Sequence, residues 1–258
     1  MKERLDVILV NKGLAPSRDN AKRTIMAGLV TVDGVVENKS GQKFNVDSEF
    51  AVKEKLLKYV SRGGIKLEKA IDSFGIDLAN CYTVDMGAST GGFTDCMLMN
   101  GAVKVYALDV GYGQLDYKLR VDPRVINMEK TNIRHLDTNL IAKPIDFISI
   151  DVSFISLRHM FPVASALLKD DGAVMCLIKP QFEAGREQVG KKGIVRDDRV
   201  HVDVIEKVIG YAALEGLYPH GLDYSPVKGT KGNIEYLLYL KKSESDSDIS
   251  PLEVVSKA

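Results

Sequence analysis

Two charged residues stand where apolar strands of an α/β chain should be ending. Phe147-Ile148-Ser149-Ile150 runs into Asp151, and Met175-Cys176-Leu177-Ile178 runs into Lys179. Open α/β sheets bind ligands beyond the carboxyl ends of their strands, so both side chains are directed to one crevice. A third charge, Glu235, lies in the apolar and aromatic stretch Ile234–Leu240. An unpaired carboxylate is expensive to bury there, so it calls for a cation. Lys66, at the head of an amphipathic helix, is the candidate. Each residue alone has a plainer use, since a strand-end Asp can cap a helix and a strand-end Lys can be solvated. Together, two lysines with an Asp and a Glu are acid–base equipment. A lysine that is desolvated or close to another cation can take a proton from a hydroxyl group.

A glycine-rich turn opens into the same crevice: Asp85-Met86-Gly87-Ala88-Ser89-Thr90-Gly91-Gly92-Phe93, directly after an apolar strand. Such glycines let backbone approach a ligand and turn into a helix N-terminus. Ala-Ser-Thr after Gly87 breaks the dinucleotide fingerprint, and no Gly-Lys-Ser/Thr of a phosphate loop is present. Asp85 would repel a pyrophosphate but suit the cationic methionine end of S-adenosylmethionine (SAM). The next strand ends in Asp109, 22 residues after Gly87, and its carboxylate can accept from ribose hydroxyls. Acid, glycine loop and acid suit SAM better than NAD. A ribose 2′-hydroxyl is a poor nucleophile until its proton is removed or polarised, and in-line attack on a sulfonium methyl then needs mainly positioning.

Alternating elements must place these groups. Strands are expected at Tyr82–Met86, Val103–Asp109, Val125–Met128, Ile145–Asp151 and Ala173–Lys179, with amphipathic helices between them. The first helix carries Leu67, Ala70, Ile71 and Phe74 at i, i+3, i+4 and i+7. Short apolar strands separated by helices indicate a parallel sheet covered on both faces. Leu217–Tyr224 and Ile234–Leu240, joined by a turn-rich segment, read as an antiparallel pair finishing the sheet. The fold class is therefore α/β, a Rossmann-like SAM-dependent methyltransferase sheet, occupying residues 61–242. Residues 1–60 form a small α+β domain: a helix buries Leu5, Ile8 and Leu9, Ser17 caps a second helix that buries Ala21 and Ile25, and Asp33-Gly34 turns a hairpin. Residues 243–258, with Ser243-Glu244-Ser245-Asp246-Ser247-Asp248, are expected to be a disordered acidic tail.

Composition narrows the class further. Hydrophobic residues at 45% and charged residues at 27% describe an ordinary soluble protein. The apolar runs are far too short for a bilayer core of roughly 30 Å, and no secretory signal opens the chain, so a cytoplasmic location and no membrane partner are expected. Cys81, Cys96 and Cys176 lack metal-ligand spacing and read as reduced core residues; the four histidines form no ligand set, so no metal is expected. The formal net charge is zero, yet residues 1–60 carry 11 Lys and Arg against 8 Asp and Glu. Arg18 and Lys22, one turn apart opposite the apolar side of the second helix, with Arg23 nearby, suit RNA phosphates, although for this cluster taken alone a solvated helix face is the better explanation. A second basic stretch, Gly185-Arg186…Gly190-Lys191-Lys192-Gly193…Arg196, reads either as a loop that closes over RNA or as a floppy insertion.

The order Lys66, Asp151, Lys179, Glu235 resembles the Lys-Asp-Lys-Glu tetrad of FtsJ-like RNA 2′-O-methyltransferases. Tyr59–Leu67, Asp85–Phe93, Asp109–Leu115 and Ser225-Pro226…Gly232-Asn233-Ile234-Glu235 resemble the TlyA family of rRNA 2′-O-methyltransferases, also called haemolysins. Ser17-Arg18…Ala21-Lys22…Gly28–Gly34 is similar to the S4-like RNA-binding module. The resemblance implies that Lys179 is the base, that Asp151 orients it and that Glu235 positions Lys66. It implies that Asp85, Gly87, Ala88, Ser89, Gly91, Gly92, Phe93 and Asp109 hold SAM, with Asn132 near the adenine. The implied partners are ribosomal RNA or ribosomal subunits. Two other readings stand beside it, a membrane-active haemolysin and a non-catalytic RNA-binding or ribosome-assembly factor.

Overall fold

The computed structural model describes residues 2–26, 28–52, 58–142, 144–229, 232–245 and 249–258, apart from the side chain of Arg23. The chain divides into two compact units, Met1–Leu56 and Leu57–Ala258.

In the smaller unit β1 (Lys2–Arg4) leads into α1 (Leu5–Asn11), followed by α2 (Arg18–Met26), β2 (Val30–Val32), β3 (Val35–Glu37), β4 (Lys43–Asn45) and β5 (Phe50–Val52). Its core gathers Leu5, Leu9, Ala21 and Ile25 from the helices with Val30 and Val32 from β2. The Ser17 hydroxyl accepts from Asn20 N at 3.2 Å and so caps α2. Asp33 and Gly34, with φ of 50° and 81°, make the positive-φ turn that joins β2 to β3. Strand order is β3-β2-β5, with β1 and β4 paired separately.

The larger unit runs α3 (Gly63–Phe74), β6 (Tyr82–Met86), α4 (Gly92–Met99), β7 (Lys104–Leu108), α5 (Tyr117–Arg120), β8 (Val125–Met128), β9 (Ile145–Ile150), α6 (Phe161–Leu167), β10 (Leu168–Ile178), α7 (Pro180–Glu183), α8 (Asp198–Ala213), β11 (Tyr218–Tyr224), β12 (Tyr236–Lys241) and α9 (Pro251–Ser256). Seven strands form one sheet in the order β11-β12-β10-β9-β6-β7-β8. The strands from β10 through β8 are parallel, and β12 pairs antiparallel with both β10 and β11. Period-two alternation splits β10 between two cores. Val174, Cys176 and Ile178 join Phe161, Ala164, Val204 and Val208 on one face. Met175 and Leu177 join Leu67, Ala70 and Met97 on the other. A parallel sheet covered on both faces is the expected architecture.

Four expectations need correction. β10 starts at Leu168, before the polar Lys169-Asp170-Asp171-Gly172, and a register shift between Leu168 and Ala173 absorbs those residues. Glu235 precedes β12 and is not within it. Cys81 is half-buried, whereas Cys96 and Cys176 are in the core. The chain after Lys242 is not a disordered tail throughout. Residues 246–248 lie outside the described residues, but Ser250 accepts from Glu253 N, Pro251 begins α9, and Val255 is buried against the main core. A capped helix start followed by two valines outweighs the local acidic composition.

Candidate active site

Both strand-end charges arrive at the carboxyl edge of the sheet. Lys179 immediately follows β10 and precedes Pro180, the first residue of α7, so the chain turns sharply at the lysine. Its Nζ lies 2.5 Å from Asp151 Oδ1 and donates to Ser153 Oγ at 3.0 Å. Lys179 is 8% exposed. Asp151 follows β9, whose parallel neighbour β6 it continues to grip through its own N–H to Met86 O at 2.9 Å.

The second pair comes from opposite ends of the unit. Lys66, in the first turn of α3, donates to Glu235 Oε2 at 2.6 Å, and the Glu235 side chain is 3% exposed against 12% for Lys66. Gly229 makes room for the carboxylate, since a Cβ there would stand 2.0 Å from Glu235 Oε1. A buried ion pair gains little net stability after desolvation, so its presence calls for another reason.

Both pairs line one open cleft of about 590 Å³ with Ser61, Arg62, Gly63, Ser153, Val227, Lys228, Gly229 and six residues of the glycine loop. Among the residues expected to hold a cofactor, Gly87, Ala88, Ser89, Gly92 and Phe93 line it. Gly87 has φ of 92°, and a Cβ there would meet Asp151 O at 2.4 Å. The loop therefore presses on the backbone of Asp151, and only glycine allows it. Gly91 does not line the cleft; at φ 94° it caps α4, and a Cβ would stand 2.2 Å from Leu119. The Asp109 carboxylate accepts from Ser89 N at 2.8 Å and Gly111 N at 2.6 Å, tying the glycine loop to the chain after β7.

Two further candidates are placed differently from expectation. Asp85 is fully buried beneath the loop, where it accepts from Thr94 Oγ1 at 2.7 Å and Ser149 Oγ at 3.0 Å. Burial pushes its carboxyl up to about 6, against the hydrogen bonds from Thr94 and Ser149. It anchors α4 and β9 and does not face the cleft. Asn132 is exposed and spends its side-chain oxygen on Arg134 N, capping a turn outside the cleft lining.

In the smaller unit, Arg18 bonds the fully buried Asp6 at 3.0 Å while remaining 55% exposed, and Lys22 pairs with Asp19 at 3.3 Å. Arg23's side chain lies outside the described residues. The basic stretch from Gly185 to Arg196 is tied down at its C-terminal half: Asn233 Oδ1 accepts from Val195 N and its Nδ2 donates to Gly193 O. His201, buried, bonds both Tyr236 Oη and Val195 O, giving one expected spectator a holding role.

Sequence reading missed Ser153, Gly229, Asn233 and Glu183. The signal for Asn233 was present in its position two residues before Glu235. Nothing local marks Ser153 or Glu183, whose partners are 26 and 27 residues away. The aromatic Phe154 next to Ser153 is 90% exposed, has φ of 63°, and packs 4.8 Å from the ring of Phe182.

The FtsJ-like methyltransferase family matches residues 59–242, and the S4 domain matches residues 3–49. The 16S/23S rRNA (cytidine-2′-O)-methyltransferase TlyA of Mycobacterium tuberculosis is 40% identical over 96% of this chain and 92% of its own length. Hemolysin A of Brachyspira hyodysenteriae is 43% identical over 92% of this chain and 98% of its own. A solved structure from Streptococcus thermophilus, assigned as a hemolysin, is 47% identical, covers 99% of this chain and 95% of its own, and superposes with a TM-score of 0.79. A Listeria monocytogenes structure assigned as an SAM-dependent methyltransferase, at 17% identity and a TM-score of 0.53, covers 71% of this chain and all of its own and shares the fold alone. With its tetrad, glycine loop and N-terminal S4 domain, the chain belongs to the FtsJ-like methyltransferase family, in the branch that includes TlyA.

Proposed function

We propose that the chain is an SAM-dependent methyltransferase that modifies ribose 2′-hydroxyls of ribosomal RNA. The observation that carries this reading is the convergence of Lys179–Asp151 and Lys66–Glu235 on one cleft floored by the glycine loop. SAM, when bound, supplies a methyl group activated by a sulfonium. The residues present suit it: a loop whose glycine backbone opens on the cleft, next to the carboxylate of Asp109.

Lys179 takes the proton of the 2′-hydroxyl, and Asp151 holds its Nζ in place at 2.5 Å. Lys66, fixed by Glu235, keeps a positive charge over the oxygen that becomes nucleophilic. Arg62 and Lys228 at the cleft wall suit phosphates on either side of the target ribose. Phe154 offers an exposed aromatic face beside the site, the kind of surface on which unpaired RNA bases stack. The S4 domain and the rRNA activity for which the mycobacterial relative is named support ribosomal RNA as the substrate class.

The haemolysin reading finds less support: among the described residues no helix is long and apolar enough to cross a membrane. Tritium transfer from labelled SAM to 16S and 23S rRNA, naked and in subunits, tests the proposal. Label recovered in 2′-O-methylated nucleosides supports it. No transfer to either RNA in any form, or label on a base, overturns it. Liposome leakage by purified protein tests the alternative directly.

A further inference from the structure

Beyond the tetrad, the loop after β9 makes a second set of contacts with the Lys179 segment. We propose that this loop, residues 152–157, is a positioning element for the base: Ser153 orients Lys179, and Glu183 latches the loop in place. The inference rests on the reading of Lys179 as base.

Ser153 is the direct contact. To act as the base Lys179 must be the neutral amine, which has two N–H donors and one lone pair on a flexible stem. Lys179 Nζ lies against Asp151 Oδ1 at 2.5 Å as an ion-pair contact and donates to Ser153 Oγ at 3.0 Å, and all three residues line the cleft. Two fixed oxygens, one on each residue, leave the Nζ lone pair for the substrate side. One acceptor alone would leave the head free to rotate about that contact.

Glu183 explains why Ser153 stays there. It ends α7, four residues after Lys179, and is 5% exposed. Its carboxylate accepts from Ser156 Oγ and from Leu157 N, each at 2.7 Å, so it reaches from the Lys179 segment back to the Asp151 loop. Among the described residues it makes no salt bridge. Lys207 bonds its main-chain oxygen at 2.8 Å, and Arg158 adds a weaker attraction. Burying a carboxylate without a paired cation is costly, so the two loop bonds are its compensation. Burial raises its pKa, while the bonds from Leu157 and Ser156 oppose the rise. Phe154, between Ser153 and the latch, holds a left-handed backbone that a bulky side chain rarely adopts. Strain of that kind persists only where surrounding contacts over-determine it, which the latch provides.

The test is single-turnover methylation of rRNA from cells lacking this enzyme, at saturating RNA and labelled SAM. Ser153→Ala, Glu183→Ala, Glu183→Gln and Lys179→Ala are compared with the parent, and SAM affinity is measured for each. Ser153→Ala and Glu183→Ala should each slow the step roughly tenfold to 100-fold, the scale of a small misplacement of a reacting group, with SAM affinity and KM for RNA unchanged. Glu183→Gln should recover most of the rate, because its amide can still accept from Leu157 N. Lys179→Ala should be inactive. If Lys179→Ala is active, the base assignment falls and takes this inference with it. If Lys179→Ala is inactive while Ser153→Ala and Glu183→Ala run at the parental rate, the positioning role alone is overturned. Should Glu183→Ala fail to fold, the exposed Ser153→Ala decides, and a parental rate there rejects the proposal.

Discussion

Lys66 and Glu235 are 169 residues apart in the chain and 2.6 Å apart in the structure. The pair joins α3 to the segment entering β12, and with Gly229 moulded around the carboxylate it leaves Glu235 little room for another conformation. Glu235→Gln keeps the shape and removes the charge. It should lower turnover about tenfold or more and destabilise the protein by about 1–3 kcal/mol, less than for a wholly buried pair because Lys66 retains some solvent. Denaturant melts and single-turnover rates check both halves; parental turnover would show that Lys66 needs no counter-charge.

Lys179→Arg separates base from clamp. Guanidinium stays protonated and cannot accept the hydroxyl proton, although it can still pair with Asp151. Methylation should be lost in Lys179→Arg as in Lys179→Ala, with SAM binding retained in both. Near-parental single-turnover rates for the Arg variant would leave Lys179 as an electrostatic clamp only.

Asp109→Ala should weaken SAM binding for two reasons. It removes an acceptor beside the glycine loop, and it frees Ser89 N and Gly111 N, which the carboxylate now holds. Isothermal calorimetry should show at least a tenfold loss, on the scale of one or two hydrogen bonds to a charged group. Unchanged affinity would exclude Asp109 from the cofactor site.

Asp85 links the site to pH. Its folded pKa of about 6 exceeds its ordinary value of 3.8, so the folded state holds the proton more tightly than the unfolded chain. That contribution is complete below about pH 4 and is lost as pH rises through 6. Asp85→Asn has no such proton. The stability of the parent relative to Asp85→Asn should therefore fall by about 2 kcal/mol between pH 4 and pH 7. A difference constant across that range, in urea titrations, would refute the shift.

Arg18 and Lys22 should behave unequally. Lys22→Ala should raise the RNA concentration for half-maximal rate and reduce the salt slope by about 1. Arg18→Ala should do the same and also lower the melting temperature of the smaller unit, because Arg18 is one of two arginines on the buried Asp6. With Arg4 as the first cause, Asp6 is held down to about 2. If the double variant methylates rRNA normally across a salt series, the stripe is a solvated face.

The order of elements, the parallel sheet with its antiparallel end and the meeting of Lys66, Asp151, Lys179 and Glu235 in one cleft were legible along the chain. Those signals are local: strand-end polarity, glycine spacing, and one carboxylate too apolar in its surroundings to stand alone. Even the Lys66–Glu235 pairing followed from the cost of an unpaired buried charge. Side-chain direction was not legible. Asp85 lies one residue inside β6, and the pleat turns its carboxylate under the loop toward Thr94 and Ser149, away from the cleft. Asn132 is spent on a cap, and α9 forms because Val254 and Val255 find an apolar surface that composition could not reveal. The Ser153 and Glu183 contacts exist only once β9 and β10 lie side by side. Residue chemistry and period are properties of the chain; which face a side chain meets, and what already occupies its hydrogen bonds, are decided when distant segments pack.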